Sequence, residues 1–165
     1  MALVVQKYGG TSVANLDKIA NVAKKVIGTR EAGNDVVVVL SAMSGETDRL
    51  IGLAQKAADN PDGREYDALI ATGEQVTVSL LAIMLTGMGY PAKSFLGFQV
   101  RILTDKAFKK ARILTVETTA IQDELRKGTI VIVAGFQGVD PENNITTLGR
   151  GGSDTSAVAL AAALK

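Results

Sequence analysis

Two stretches of this sequence are equipped for chemistry: Lys7-Tyr8-Gly9-Gly10-Thr11-Ser12 and Thr146-Thr147-Leu148-Gly149-Arg150-Gly151-Gly152-Ser153-Asp154. Closely spaced glycines let backbone N–H groups approach an anion without an intervening Cβ. Lys7, Arg150 and Asp154 add the fixed charges that orienting an anion requires. The combination reads as a phosphate and carboxylate site.

The residues that are missing narrow the chemistry further. The chain has no Cys and no His, so it cannot build a thiol nucleophile, a Ser-His-Asp triad or a Cys/His zinc site, and no metal site is expected. What remains is Lys, Arg, Asp, Glu, Ser, Thr and backbone amides. A net charge of +1 and 4% aromatic residues, none of them Trp, lack the basic stripe and stacking rings of a nucleic-acid surface. No secretory-type segment opens the chain and its uninterrupted apolar runs are too short for a membrane span, so neither a nucleic acid nor a membrane is expected as a partner, and the cytoplasm is the expected location. At 165 residues, 47% of them apolar, the chain is long enough to bury a core without disulfide or metal, and one domain is the simplest count.

The elements that must position these residues alternate between strand and helix. Leu3-Val4-Val5 leads to Lys7 as a first strand. Ile19, Val22, Ala23, Val26 and Ile27 repeat at helical spacing behind Asn15, a suitable N-cap, and Gly33 marks a stop. Val36-Val37-Val38-Val39-Leu40 is apolar without alternation, as in a parallel strand covered on both faces. A second helix follows through Leu50, Ile51, Leu53, Ala54 and Ala57 and ends at Pro61-Asp62-Gly63. A third runs from about Arg64 to Thr86 with a break near Gly73, and Ala92 to Leu96 forms a short strand.

From Gly97 to Arg112 the pattern suggests a loop or a small antiparallel flap. Arg112–Val116, Thr119–Lys127 and Thr129–Ala134 then read as a further β-α-β unit, the helix closed by Gly128. Gly135 to Asn144 are turn formers. Ser153 is expected to cap a last helix of Ala157 to Leu164. The predicted architecture is an α/β three-layer sandwich, a mainly parallel sheet with helices on both faces. In open sheets of this kind ligands bind beyond the carboxyl ends of the strands. That directs attention to Lys7–Ser12, Ser41–Thr47 and Gly135–Gly138 leading on to Gly149–Asp154.

Familiar glycine signatures do not fit. The dinucleotide fingerprint G-x-G-x-x-G would start at Gly149 and Gly151 but meets Asp154 where it needs glycine, and no Walker A loop or protein-kinase signature is present. Lys7-Tyr8-Gly9-Gly10-Thr11-Ser12, Ser41-Ala42-Met43, Thr72-Gly73-Glu74, Gly135-Phe136-Gln137-Gly138 and Thr147-Leu148-Gly149-Arg150-Gly151-Gly152-Ser153-Asp154 together closely resemble the aspartate kinases of the amino-acid kinase superfamily. The resemblance covers essentially the whole chain. It implies transfer of the ATP γ-phosphoryl group to the side-chain carboxylate of L-aspartate, giving 4-phospho-L-aspartate, the entry to lysine, threonine and methionine synthesis. ATP with Mg2+ is the implied co-substrate. Residues 1–165 then correspond to the amino-acid-binding part of the catalytic domain, expected to be inactive without the nucleotide-holding remainder and separate from any regulatory ACT domains. A homo-oligomer, or assembly with the rest of the enzyme, is also implied.

The resemblance assigns roles residue by residue. Lys7 bridges the phosphates and stabilises the transferring group, and Asp154 organises the catalytic lysines. Arg150 grips the substrate carboxylate, a task for which a guanidinium suits better than an ammonium. Glu74 accepts the substrate ammonium, with Ser41, Thr47 and Ser153 adding hydrogen bonds. Gly9, Gly10, Ser12, Gly151 and Gly152 join Lys7 in phosphate binding. Each has an ordinary alternative: a strand-end lysine, a loop arginine in a surface ion pair, a first-turn glutamate, an N-cap threonine, simple tight turns. Acetylglutamate kinase, sharing the architecture, and a non-catalytic acid-binding or assembly module are the competing functions.

Overall fold

A parallel sheet of four strands carries the site. The computed structural model describes residues 2–165. In chain order the first half comprises β1 (Leu3–Tyr8), a single 3-10 turn (Gly10–Val13), α1 (Leu16–Glu31), β2 (Asp35–Leu40), α2 (Glu46–Ala57), α3 (Gly63–Ile70) and α4 (Thr72–Gly87). The second half comprises β3 (Ala92–Phe95), β4 (Ile102–Thr104), β5 (Ile113–Val116), α5 (Thr119–Arg126), β6 (Ile130–Ala134), β7 (Gln137–Val139), β8 (Ile145–Thr147) and α6 (Gly152–Ala163).

The main sheet has the order β1-β2-β6-β3, and every neighbouring pair is parallel. The unalternating runs of β2 and β6 occupy its centre, where both faces are covered. Val36, Val38, Leu40, Ile130, Ile132 and Ala134 face one layer, packing with Ile19, Val22 and Val26 of α1 and with Val78, Leu81 and Leu85 of α4. Val37, Val39, Val131 and Val133 face the other, against Ile121 and Leu125 of α5 and Leu160 of α6. The three-layer sandwich expected from the sequence is therefore present, with helices on both faces.

Local signals explain several boundaries. The Asn15 side chain accepts a hydrogen bond from the Lys18 N–H and caps α1, which stops just before Gly33. Asp62 accepts from Arg64 and Glu65 and caps α3. The helix break falls at Ala71, not at Gly73. Together α3 and α4 make a segment, Gly63–Gly87, long and apolar enough by length and composition to cross a membrane. Its buried apolar residues, among them Ile70, Val78, Leu81 and Leu85, serve the core, and Glu74 and Thr77 are buried as well.

Two expectations are corrected. Residues 113–116 do not join the main sheet as the start of a β-α-β unit. They pair antiparallel with β4 in a second sheet of order β5-β4-β7-β8. Only Ile113 and Val116 turn toward that core, so this short strand is half-exposed in an outer layer. Gly135–Asn144 is not all turn. Gln137–Val139 is a fully buried strand, antiparallel to β8 and parallel to β4. The region 97–112 does contain a small flap strand, β4, as expected.

Candidate functional site

The carboxyl ends of β1, β2 and β6 open onto a cleft of about 300 Å³. Its walls come from Lys7 at the end of β1 and Gly10 after it, Ser41–Gly45 after β2, Thr47 and Asp48 in the first turn of α2, Glu74 in the first turn of α4, Phe136 after β6, and Gly151–Asp154 at the start of α6. The starts of α2 and α6 both abut it. The unpaired N–H groups of a helix's first turn favour an anion.

Lys7 Nζ lies 3.0 Å from Asp154 Oδ1, tying the end of β1 to α6. The Asp154 side chain is mostly exposed, so the pair adds little to stability and its value lies in orienting the lysine. Ser41 Oγ donates to Ser153 Oγ at 3.0 Å. The Ser41 carbonyl accepts from Thr77 Oγ1 at 2.8 Å, fastening the end of β2 to α4.

Glu74 is the most unusual group in the cleft. It is 2% exposed. Its Oε1 accepts from the Ala42 N–H at 3.3 Å, and its Oε2 is buried with no hydrogen-bond partner. Burial pushes its carboxyl up from 4.5 to about 8, against the opposing pull of the Glu74 and Ala42 backbone N–H groups and the Gln137 amide. A buried carboxylate oxygen without a donor is costly to leave unmatched, and a cation arriving in the cleft would match it.

Two glycines make this placement possible. A Cβ on Gly73 would fall 2.9 Å from the Ala42 Cβ, so only glycine lets α4 approach the Ser41–Met43 turn closely enough to present Glu74. Gly151, with φ +76°, starts α6 from the left-handed region. This corrects the expected role of Ser153: the N-cap is Gly151, no side chain caps the helix, and the Ser153 hydroxyl bonds Ser41 instead. Thr47 is likewise no cap, because Gly45 begins α2. Phe136 holds φ 70° although it is not glycine. Its N–H donates to Ser156 Oγ at 3.0 Å and its carbonyl accepts from Leu148 N–H at 2.8 Å, which together hold it there.

Of the residues singled out in the sequence, Lys7, Gly10, Ser41, Thr47, Glu74, Gly151, Gly152, Ser153 and Asp154 converge on the cleft. Gly9 stands behind Lys7, where a Cβ would lie 3.4 Å from its Nζ. Ser12 faces a separate hollow beside α1, together with Thr11, Lys18, Asn21 and Lys25. Arg150 is exposed and faces a groove along α6 that meets the cleft at Asp154. Asp48 and the Phe136 ring were not foreseen as lining residues. Phe136 stood within a recognised motif, whereas Asp48 carries no signal that separates it from any first-turn acid.

Residues 2–165 match the amino acid kinase family. The chain is 62% identical over its full length to an aspartokinase of Pseudomonas aeruginosa and 54% identical to aspartokinase 2 of Bacillus subtilis. It spans 40% of the length of each. Among solved structures it superposes on aspartate kinase from Synechocystis with a TM-score of 0.81 at 47% identity, covering 98% of this chain and 26% of that one. E. coli aspartokinase III in complex with aspartate and ADP matches with a TM-score of 0.88 at 26% identity, over 99% of this chain and 47% of that one. The sequence match from Ala2 to Lys165 and the shared fold agree: the chain belongs to the amino acid kinase family.

Proposed function

We propose that this chain is the amino-acid-binding part of an aspartate kinase, a phosphotransferase that moves the γ-phosphoryl group of ATP to the side-chain carboxylate of L-aspartate. The observation that carries the reading is the buried, unpartnered Oε2 of Glu74, a residue that lines the same cleft as Lys7. The substrate ammonium completes Glu74, and the side-chain carboxylate is left to face the lysine and the glycine turn. The relatives named above support aspartate as the substrate, as does the neighbour that holds aspartate and ADP.

The chemistry asks little of the protein beyond placement and charge. A carboxylate oxygen of the substrate forms the new bond to the γ-phosphorus. The bond from that phosphorus to the β–γ bridging oxygen breaks, and ADP leaves with the electron pair. No proton has to move, which suits a chain without histidine. Two anions must nevertheless be brought together, so neutralisation carries most of the catalysis. Lys7 supplies it, steered by Asp154, while the first-turn N–H groups of α6 receive phosphoryl oxygens. Ser41, Thr47 and Ser153 hydrogen-bond the amino acid. Arg150 reaches its carboxylate by swinging from the α6 groove across the shared Asp154 edge.

ATP enters with Mg2+ as co-substrate. Among the described residues no group of three or more acidic side chains is placed to hold a metal. The adenine and ribose are held by parts of the longer protein that this chain does not span. The reaction opens lysine, threonine and methionine synthesis in the cytoplasm, and the enzyme works as a homo-oligomer.

The test is turnover by the full-length protein. ADP release that depends on L-aspartate, with the acyl phosphate trapped by hydroxylamine, is the expected result. Saturable aspartate binding without ADP release would favour a non-catalytic module.

A further inference from the structure

Asp67 lies outside the cleft, yet it is wholly buried on α3 and heavily bonded. Both of its oxygens accept from the Lys109 N–H at 3.0 Å. Oδ2 accepts from the Thr147 N–H and Oδ1 from the Thr147 hydroxyl, each at 2.8 Å. Thr147 is the last residue of β8, and only Leu148 separates it from the Gly149–Gly152 turn.

A second buried contact closes a ring. Thr147 stands opposite Gln137 in the β7–β8 ladder. Gln137, 1% exposed, donates from Nε2 to the Ala71 carbonyl at 2.9 Å. Ala71 is the single residue between α3 and α4, three positions before Glu74. The ring therefore runs from Asp67 to Thr147, across the ladder to Gln137, on to Ala71 and back along α3. One side of it carries Glu74. The other carries Phe136 and leads into the glycine turn and Asp154.

We propose that Asp67 and Gln137 are positioning residues that fix the separation between Glu74 and the Gly149–Asp154 turn, and so set the alignment of the acceptor carboxylate with the transferring phosphoryl group. The inference rests on the phosphotransferase reading above. Neither side chain lines the cleft; Asp67 acts through what it holds, and Gln137 acts through Ala71 and through the pull of its amide on the Glu74 carboxyl. Once the ring is cut the two walls move relative to each other. Amino-acid binding by Glu74 survives that movement better than in-line alignment does, because a misplacement on the order of 1 Å can cost about 100-fold in rate.

The test substitutes Asp67→Asn, which keeps the shape but turns an amide N–H2 toward the donors of Lys109 or Thr147. Kinetics are measured on the full-length protein at a temperature where circular dichroism shows wild type and variant fully folded. The expected result is a fall in kcat of about 10- to 100-fold, with KM for ATP and for L-aspartate changing less than about threefold. A purely structural role would lower the melting temperature and leave kcat of the folded enzyme intact, and that result overturns the proposal. If Asp67→Asn does not fold, Thr147→Val and Gln137→Met decide. Each removes one donor of the ring, and each should lower kcat in the same pattern; unchanged kcat in both overturns the proposal. Wild-type turnover run alongside separates the two levels: an inactive wild type refutes the phosphotransferase reading and this inference with it, whereas an active wild type with an equally active Asp67→Asn refutes only the positioning.

Discussion

Glu74→Gln should make the unliganded chain more stable at neutral and alkaline pH while abolishing its binding of L-aspartate. Burial raises the Glu74 carboxyl from 4.5 to about 8. Between those values the folded state holds a proton that the unfolded state has released. Folding stability from this group is therefore complete below the unfolded value and declines as pH rises to the folded one, by about 1.4 kcal/mol for each pH unit. The full interval amounts to about 5 kcal/mol, an upper figure because water entering the cleft softens the penalty. Glutamine has no such slope.

Urea unfolding of both proteins at about pH 5 and about pH 8 isolates the effect, since every other titration cancels in their difference; the variant should gain up to about 4 kcal/mol relative to wild type between the two conditions. That is a large share of a typical domain's stability, about 5–15 kcal/mol in all. Saturating L-aspartate should narrow the gap, because its ammonium supplies the missing partner of Oε2. An equal difference at both pH values would show that Glu74 ionises normally, and the argument for an ammonium receptor would fail with it.

Lys7→Ala should lower kcat of the full-length enzyme by about 10²–10³-fold, while the melting temperature moves little, because its partner Asp154 is largely solvent-exposed. Steady-state kinetics with calorimetric melting checks both halves. Gly73→Ala brings a methyl group to 2.9 Å from the Ala42 Cβ and should cost about 1–3 kcal/mol in urea unfolding. It should also weaken L-aspartate binding, since α4 and Glu74 are pushed away from the Ser41–Met43 turn.

Much of the fold was legible because its central elements carry strong local signals. The unalternating runs Val36–Leu40 and Ile130–Ala134 admit few readings other than covered parallel strands, and Asn15 and Gly33 bracket α1 as caps and stops should. The outer sheet was not legible. Gln137-Gly138-Val139 is too short to show a period, and Gly138 reads as a turn former although its lost Cβ makes room for the Ile102 carbonyl. Ile113–Val116 has strand character but nothing in it to say which sheet it joins.

The candidate site divides along the same line. Lys7, Ser41 and Ser153 stand at strand ends or a helix start within compact motifs that follow strands, which directs attention to them, and Glu74 joins them through the family resemblance. Ser12 and Arg150 sit in those motifs too, yet their side chains face neighbouring surfaces, because direction depends on how the 3-10 turn and the start of α6 are packed. Asp67 and Thr147 are 80 residues apart, and Gln137 meets Ala71 across 66. Contacts of that reach follow from strand pairing in the outer sheet, which the sequence pattern did not disclose.

Calorimetric titration of this chain with L-aspartate and with N-acetyl-L-aspartate, with circular dichroism to confirm folding, tests most directly whether the cleft receives an amino acid through Glu74. The account predicts saturable binding of L-aspartate and none of the N-acetylated compound, because a buried carboxylate built to accept an ammonium can discriminate by about 10⁴. Equal binding of the two would contradict it and remove Glu74 from its role.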